Sequence, residues 1–366
     1  MPKTTLSSVE LAAVVEELQF LFGAKISRVY DYEERGFLLE LHVREQGKKL
    51  LRIIPGKFLN LTRAKESPLQ PSGFCQQLRK YLDNAIINKI QQKDSERILI
   101  FDIEGLSEGK ERRYSLILEF FSKGNIILTD ENNTIITCLE RQTWKDRTVK
   151  PGEKYLFPPA PLNWKEMTEA KLYELLQKSG KKSTIISLAT ELGLGGLYAE
   201  ELCKNAGMDK EKMPKEVSFS ESAKLLSELH KLKESLRKPQ GFFYEEEVSP
   251  FSLTGRTSVK VTATYNEALD TLRPFEKKSP YQKKIDLLQR TIATQEEAIV
   301  SQKKKIEEES KKGEFIYENY TFFQSLLDHL KELLKTEGIA AVEQEMKHDK
   351  RITTVDKVHK KVTITA

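Results

Sequence analysis

The chain has 366 residues, with 60 Lys and Arg against 55 Asp and Glu for a net charge of +5, and it is 39% hydrophobic with 17 Phe and 12 Tyr. That apolar content can build a core and argues against disorder throughout; no apolar run approaches the roughly 18 residues of a spanning helix, so no membrane contact is expected. Cys75, Cys138 and Cys203 form no CxxC, the five His show no ligand spacing, and Met1-Pro2-Lys3-Thr4 lacks a signal peptide's apolar core, which together predict no disulfide framework, no metal, no cofactor and a cytoplasmic location.

In chain order, Leu11, Val14, Val15, Leu18, Leu21 and Phe22 recur at helical spacing and predict a helix over 6–22, capped by Ser7 or Ser8 and ended by Gly23. Strand-like runs follow at Lys25–Tyr32, Phe37–Val43, Lys49–Ile54 and Phe58–Leu61. Ser72–Leu82 reads as a second helix. Further strands are predicted at Ile98–Glu104, Tyr114–Phe121, Ile126–Thr129 and Thr134–Leu139, with the turn Ser122-Lys123-Gly124-Asn125 between two of them. Residues 1–165 thus form an antiparallel β unit with helices.

Residues 166–238 are helical, and Ile185–Leu192, Gly193-Leu194-Gly195-Gly196 and Leu197–Asn205 read as a helix-hairpin-helix. The glycine turn lets two short helices cross closely, and its N–H groups can meet a phosphate; a plain helical hairpin has the same signature. Residues 239–276 return to short strands and one helix, packing back on the amino-terminal lobes. From Tyr281 a long helix is expected over 277–312, because Ile285, Ile292, Ile299 and Ile306 repeat at intervals of seven. Its other seam position holds Leu288, then Gln295, Gln302 and Glu309, so the helix wants a partner, a second copy included. Residues 277–312 carry ten basic against six acidic side chains, nearly the whole excess charge. Such a rod suits nucleic acid or is a solvated face. Gly313 is expected to interrupt it, with helices over Phe315–Lys335 and 339–349 and a strand over Lys357–Ala366 that ends without a turn, as in a cut chain.

The ordered motifs Ser7-Ser8-Val9-Glu10-Leu11, Pro71-Ser72-Gly73-Phe74, Leu78-Arg79-Lys80-Tyr81-Leu82, Glu96-Arg97-Ile98, Leu118 to Leu128, the hairpin Leu192–Asn205 and Tyr265 to Asp270 resemble the NFACT family. The resemblance implies an α+β fold. Its parts are an NFACT-N domain like the formamidopyrimidine-type DNA glycosylases (1–165), a helix-hairpin-helix domain (166–238), a coiled-coil helix (277–312) and the start of a small middle domain (313–366). The family's carboxy-terminal NFACT-R domain and returning helix have no room here, which implies a fragment. The implied role is ribosome-associated quality control. Large subunits holding peptidyl-tRNA are bound, and tRNA, often alanyl-tRNA, is recruited to extend the stalled peptide without a message.

The resemblance places the tRNA contacts at Glu10 and Glu96-Arg97, where the family carries Asp and Asp-Arg. A carboxylate can accept from base amino groups and Arg97 can pair with phosphate or guanine; the plain alternative is a first-turn helix acid and a solvated pair at a strand start. On this expectation the three residues share an exposed surface. The first turn of the helix beginning near Ser8 then reaches the start of the Ile98 strand. Arg79, Lys80, Lys123, Asn125, Arg141, Lys145, Arg147, Lys150, Lys303, Lys304 and Lys305 are candidate RNA contacts. Trp144 and Tyr155 interleave the basic loop Arg141–Lys154 as stacking platforms or as core lids. No catalytic set is legible. The glycosylases use an amino-terminal Pro followed by Glu; here Lys3 follows Pro2, which counts against that catalysis. A glycosylase or lyase descended from the shared fold is the enzyme alternative, and a coiled-coil adhesion or scaffold protein is another.

Overall fold

A computed structural model of the chain describes residues 5–32, 35–63, 70–107, 109–144, 147–159, 162–245, 247–272, 282–338, 342, 352–356 and 361–364. The helix α1 (Ser8–Glu17) starts at the Ser7 cap and ends in a 3-10 turn, Gln19–Leu21, before Gly23. It sinks Val9, Leu11 and Val14 completely into the core, and its C-cap Leu18 follows them, each burial favouring folding by about 1.5–3 kcal/mol before entropy is counted.

Strands β1 (Lys25–Tyr32), β2 (Gly36–Val43), β3 (Gly47–Ile54) and β4 (Phe58–Thr62) form an antiparallel meander. After α2 (Gly73–Leu82) come β5 (Ile86–Gln92), β6 (Ile98–Ser107), β7 (Lys110–Glu119), β8 (Asn125–Asp130) and β9 (Ile135–Cys138). Among the described residues these make one nine-stranded sheet in the order β4-β3-β2-β1-β5-β6-β7-β8-β9. The predicted strands are present, but the central β5 was not read from the sequence. A bulge between Ile87 and Lys89 breaks its alternation, and Asn88, Lys89, Gln91 and Gln92 make it polar. Conversely, Leu116, Leu118, Ile126 and Leu128 enter the main core while Ile117 and Ile127 pack with Ile98, Ile100, Val149 and Tyr155 on the other face. Both faces are covered there, hence the continuous apolar runs.

The ends of the sheet approach one another at two turns. Gly56 and Gly124 both hold left-handed φ, +73° and +71°. A Cβ on Gly56 would stand 2.8 Å from the Gly124 nitrogen, and one on Gly124 would stand 1.9 Å from the Gly56 nitrogen. The Gly56 N–H also donates to the Glu119 carbonyl at 3.2 Å.

The short pair β10 (Gln142–Thr143) and β11 (Thr148–Val149) precedes α3 (Glu169–Lys178), α4 (Thr184–Thr190), α5 (Gly196–Asn205) and α6 (Phe219–Ser235). The core runs without a gap from the sheet into Leu172, Leu188, Leu202 and Leu229 of these helices. A small sheet of β12 (Gly241–Phe243), β13 (Val248–Ser249) and β14 (Lys260–Thr262) leads to α7 (Tyr265–Leu272). Glu17 holds α7 at its start, accepting from the N–H groups of Tyr265 and Asn266 at 2.6 and 2.8 Å.

Residues 1–276 form one unit and 277–366 a second. In the second, α8 (Gln282–Glu318) is a single 37-residue helix. It passes through Gly313, where an interruption was predicted. One helical glycine costs about 1 kcal/mol relative to alanine, too little to break so long a cooperative helix. Ile292, Ile299 and Ile306 are exposed along it. The next helix, α9 (Tyr320–Thr336), starts later than Phe315, and β15 (Ile352–Asp356) pairs with β16 (Lys361–Ile364). Of the helix predicted over 339–349 all but Val342, which is helical and buried, lies outside the described residues, as does most of Lys357–Ala366. No helix of the described residues is long and apolar enough to cross a membrane.

Candidate nucleic-acid interface

The start of α1 is a capping box. The Ser7 hydroxyl accepts from the Glu10 N–H at 3.3 Å and the Glu10 Oε2 accepts from the Ser7 N–H at 2.8 Å. The other carboxylate oxygen accepts from the Tyr198 hydroxyl of α5 at 2.7 Å. Glu10 is 1% exposed. It therefore does not lie on the exposed surface expected of it. The box turns its carboxylate back over the helix start, and Tyr198 closes the site.

The neighbouring serine is also buried. Ser8 Oγ donates to the Ser95 carbonyl and accepts from Trp164 Nε1 at 2.8 Å. Gln92 Nε2, at the end of β5, donates to the carbonyls of Ser8 and Glu96 at 3.0 and 2.7 Å. The first turn of α1 is thus bound to the turn that precedes β6, as expected. Beside this junction lies a cleft of about 430 Å³, lined by Ser7, Ser8, Glu96, Arg97, Gly193 and Gly195 among others.

Glu96 and Arg97 are half-buried in its wall. Glu96 Oε1 is shielded from solvent and has no hydrogen-bond partner. Burial pushes its pKa above the ordinary carboxylate value, opposed by Arg97 and assisted by Asp94. Burial likewise lowers the Arg97 pKa, with Glu96 opposing. The Arg97 carbonyl accepts from the Phe120 N–H at 2.8 Å, which fixes the backbone while the guanidinium makes no side-chain bond among the described residues. Also lining the cleft, Gly193 and Gly195 take φ of +77° and +84°. Gly195 is the N-cap of α5, and no side chain caps that helix, so its first N–H groups are open to an acceptor.

The basic loop behaves differently. Arg147 is buried, donating to Glu119 Oε1 at 2.8 Å and to the Leu156 carbonyl at 3.3 Å. The Tyr155 hydroxyl donates to the same Glu119 oxygen at 2.9 Å, and its pKa is driven up by burial and by that carboxylate. The Arg147 guanidinium stacks 4.4 Å from the Trp144 ring centroid. Arg147 is therefore a core residue and not an RNA contact, because it neutralises a carboxylate the sheet has buried. Asn125 is corrected likewise. Fully buried, it donates to the Glu140 carbonyl at 2.9 Å and accepts from the Glu140 N–H at 3.0 Å. Lys123 and Arg141 are exposed, Lys150 is exposed and 3.3 Å from Glu153, and none of them lines the cleft. Lys145 lies outside the described residues. Arg79 donates to the Val29 carbonyl at 2.7 Å across the Tyr30 ring; Lys80 is exposed beside Tyr81. Lys303, Lys304 and Lys305 are exposed on α8 in the second unit. Among the described residues no cluster of His, Cys, Asp and Glu could hold a metal ion.

Sequence reasoning missed Gln92, Ser95, Trp164 and Tyr198. Ser7-x-x-Glu10 was the available signal for the cap; the others come from distant segments and carried none.

The family described as NFACT N-terminal and middle domains matches residues 7–365. The chain belongs to the NFACT family. This NFACT chain is 30% identical to the archaeal Rqc2 homolog aRqcH of Methanocaldococcus jannaschii over 376 residues, covering 95% of the chain and 55% of that protein. It is 32% identical to the Rqc2 homolog RqcH of Streptococcus suis over 201 residues, 52% of this chain and 36% of that one. The ribosome quality control complex subunit NEMF of Homo sapiens is 25% identical over 291 residues, 76% of this chain and 26% of NEMF. The NFACT chain thus spans about half the length of the archaeal relative, and less of the others. In fold it is similar to the N-terminal part of the fibronectin/fibrinogen-binding protein of Streptococcus suis, with a TM-score of 0.61 and 23% identity, covering 74% of this chain and all of that one. The fibrinogen binding protein of Staphylococcus aureus gives 0.60 and 23%, covering 72% and 97%.

Proposed function

We propose that this NFACT chain acts in cytoplasmic ribosome quality control, binding large ribosomal subunits that hold peptidyl-tRNA and recruiting tRNA to extend the stalled peptide. The names of its relatives support the first part. The cleft between the start of α1, the Glu96-Arg97 turn and the glycine turn before α5 carries the second. Its chemistry suits an unstacked base and its phosphate. Glu96 brings a carboxylate to the cleft lining, and a carboxylate accepts from a base amino group. Arg97 offers a fork of N–H groups to a phosphate or a guanine edge. Helices α4 and α5 serve as a helix-hairpin-helix whose uncapped start receives phosphate. Glu10 enters as the residue that holds the cleft wall in shape. Peptide-bond formation is left to the ribosome, and the basic residues of α8 contribute phosphate contacts to subunit binding.

Binding of several tRNA species is to be measured for Glu96→Ala and Arg97→Ala against an Arg141→Ala/Lys150→Ala pair. The cleft variants should lose discrimination among tRNAs, by about 1–3 kcal/mol, while the pair weakens all of them alike. Equal small effects throughout would leave Glu96 and Arg97 as ordinary surface groups. Co-sedimentation with large subunits should weaken, with a flatter salt dependence, when Lys303, Lys304 and Lys305 are all changed to Glu.

A further inference from the structure

Behind the cleft, Lys165 lies in the 3-10 turn Trp164–Glu166. Its Nζ donates to Gln92 Oε1 at 2.7 Å. With the amide oxygen so engaged, Gln92 Nε2 faces the other way, to the Glu96 carbonyl at 2.7 Å and the Ser8 carbonyl at 3.0 Å. One side-chain amide therefore ties the start of α1 to the Glu96-Arg97 turn, two of the segments that line the cleft. A glutamine amide can exchange its oxygen and nitrogen by a half-turn with little change of shape. An ammonium group can only donate, so beside Lys165 one orientation is favoured, and charge strengthens that bond. The gripped turn needs such support, because Asp94 holds a left-handed φ of +48°. Three further charged groups face Lys165: Asp94 from the turn, Lys233 from α6 and Glu16 from α1. Lys233 Nζ also donates to the Lys165 carbonyl at 2.8 Å.

We propose that Lys165 is a positioning residue, acting through Gln92 on the Glu96-Arg97 turn, and that its proton makes tRNA recognition pH-sensitive; this rests on the tRNA reading of the cleft. Burial lowers the Lys165 pKa to about 8, with Asp94 and Glu16 opposing and Lys233 adding to the effect. The folded chain then releases this proton more readily than the unfolded chain. The contribution of Lys165 to stability accordingly rises with pH from about 8 toward the ordinary lysine value of about 10.4. Its grip on Gln92 changes in the opposite sense, being ionic below about pH 8 and weaker above. Recognition and stability therefore move apart over the same range, whereas a lysine with a purely structural role would move them together.

The test uses the full chain and a fluorescently labelled alanine tRNA transcript, with anisotropy read from about pH 6.5 to about pH 9.5 at fixed ionic strength. Wild-type affinity should fall roughly ten-fold through a step near pH 8 as the charged bond is lost. Lys165→Arg should hold the low-pH affinity throughout, since guanidinium does not titrate there. Lys165→Met should be weak and flat. A wild-type profile without the step, or a step that persists in Lys165→Met, overturns the proposal. Hydrogen exchange at the Glu96 amide, which donates to the Lys93 carbonyl at 2.8 Å, reads the grip without RNA. It should be faster in Lys165→Met at pH 7, and equal rates overturn the grip. If no tRNA binds at any pH while exchange still quickens, the recognition half falls together with the tRNA reading of the cleft, and the grip stands.

Discussion

Two Glu-Arg pairs in the same β unit behave in opposite ways. Glu119 and Arg147, 28 residues apart, meet at 2.8 Å inside the protein, with Tyr155 on the same carboxylate and Trp144 against the guanidinium. Glu96 and Arg97 are adjacent in sequence, yet Glu96 Oε1 is left without a partner in the wall of a cleft. Sequence proximity does not decide which charges satisfy each other. The first pair has its hydrogen bonds supplied from within; the second leaves one carboxylate oxygen unsatisfied, and burial raises its pKa accordingly.

The largest expected effect falls on the satisfied pair. Arg147→Met leaves the Glu119 carboxylate buried without its countercharge, with only the Tyr155 hydroxyl still donating to it, and should cost about 3–5 kcal/mol in urea unfolding, with little change in tRNA discrimination among the molecules that remain folded. A mild loss would mean that the sheet admits water at Glu119 and that the contrast is overdrawn. Next comes Glu10→Ala, which strips the Tyr198 hydroxyl and the Ser7 N–H of their acceptor and should cost about 1–3 kcal/mol. Loss of discrimination without loss of stability would return Glu10 to the RNA-facing group. The smallest effect is that of Glu96→Gln. Because burial raises the Glu96 pKa, its ionised form opposes folding as pH climbs past the ordinary carboxylate value of about 4.3. The Gln variant should therefore gain thermal stability relative to wild type between acid and neutral pH, and lose discrimination over the same interval. A melting-temperature difference that stays constant with pH would show that Glu96 is well solvated.

What could be read in advance follows the range of the interactions. The meander β1 to β4 and the strands β6 to β9 were legible because alternation or apolar runs record the burial of each face locally. The central strand β5 was not, since its bulge and its polar residues erase the period. That omission also hid Gln92, the residue that ties Ser8 to Glu96. The heptad of α8 predicted a helix, while Gly313 misled about its end, a weak local penalty set against a long cooperative element. Arg147 looked like part of a basic loop because its partner is concealed in an apolar strand. Glu96-Arg97 was singled out through the family resemblance, and only the folded chain shows that one of its acceptors is unspent.

The contact between Gly56 and Gly124 has a consequence for how this protein can vary. Main chain presses on main chain there, so no side-chain replacement elsewhere can make room for a methyl group on either residue. The two hairpins are coupled parts of one clasp, and neither can be lengthened or recomposed while the other keeps its place. A single-site scan should find both glycines intolerant and pairs of replacements unable to rescue each other. The Gly124 of the distinctive Ser122-Lys123-Gly124-Asn125 turn is thereby explained by its contact with the Gly56 turn, with no ligand required.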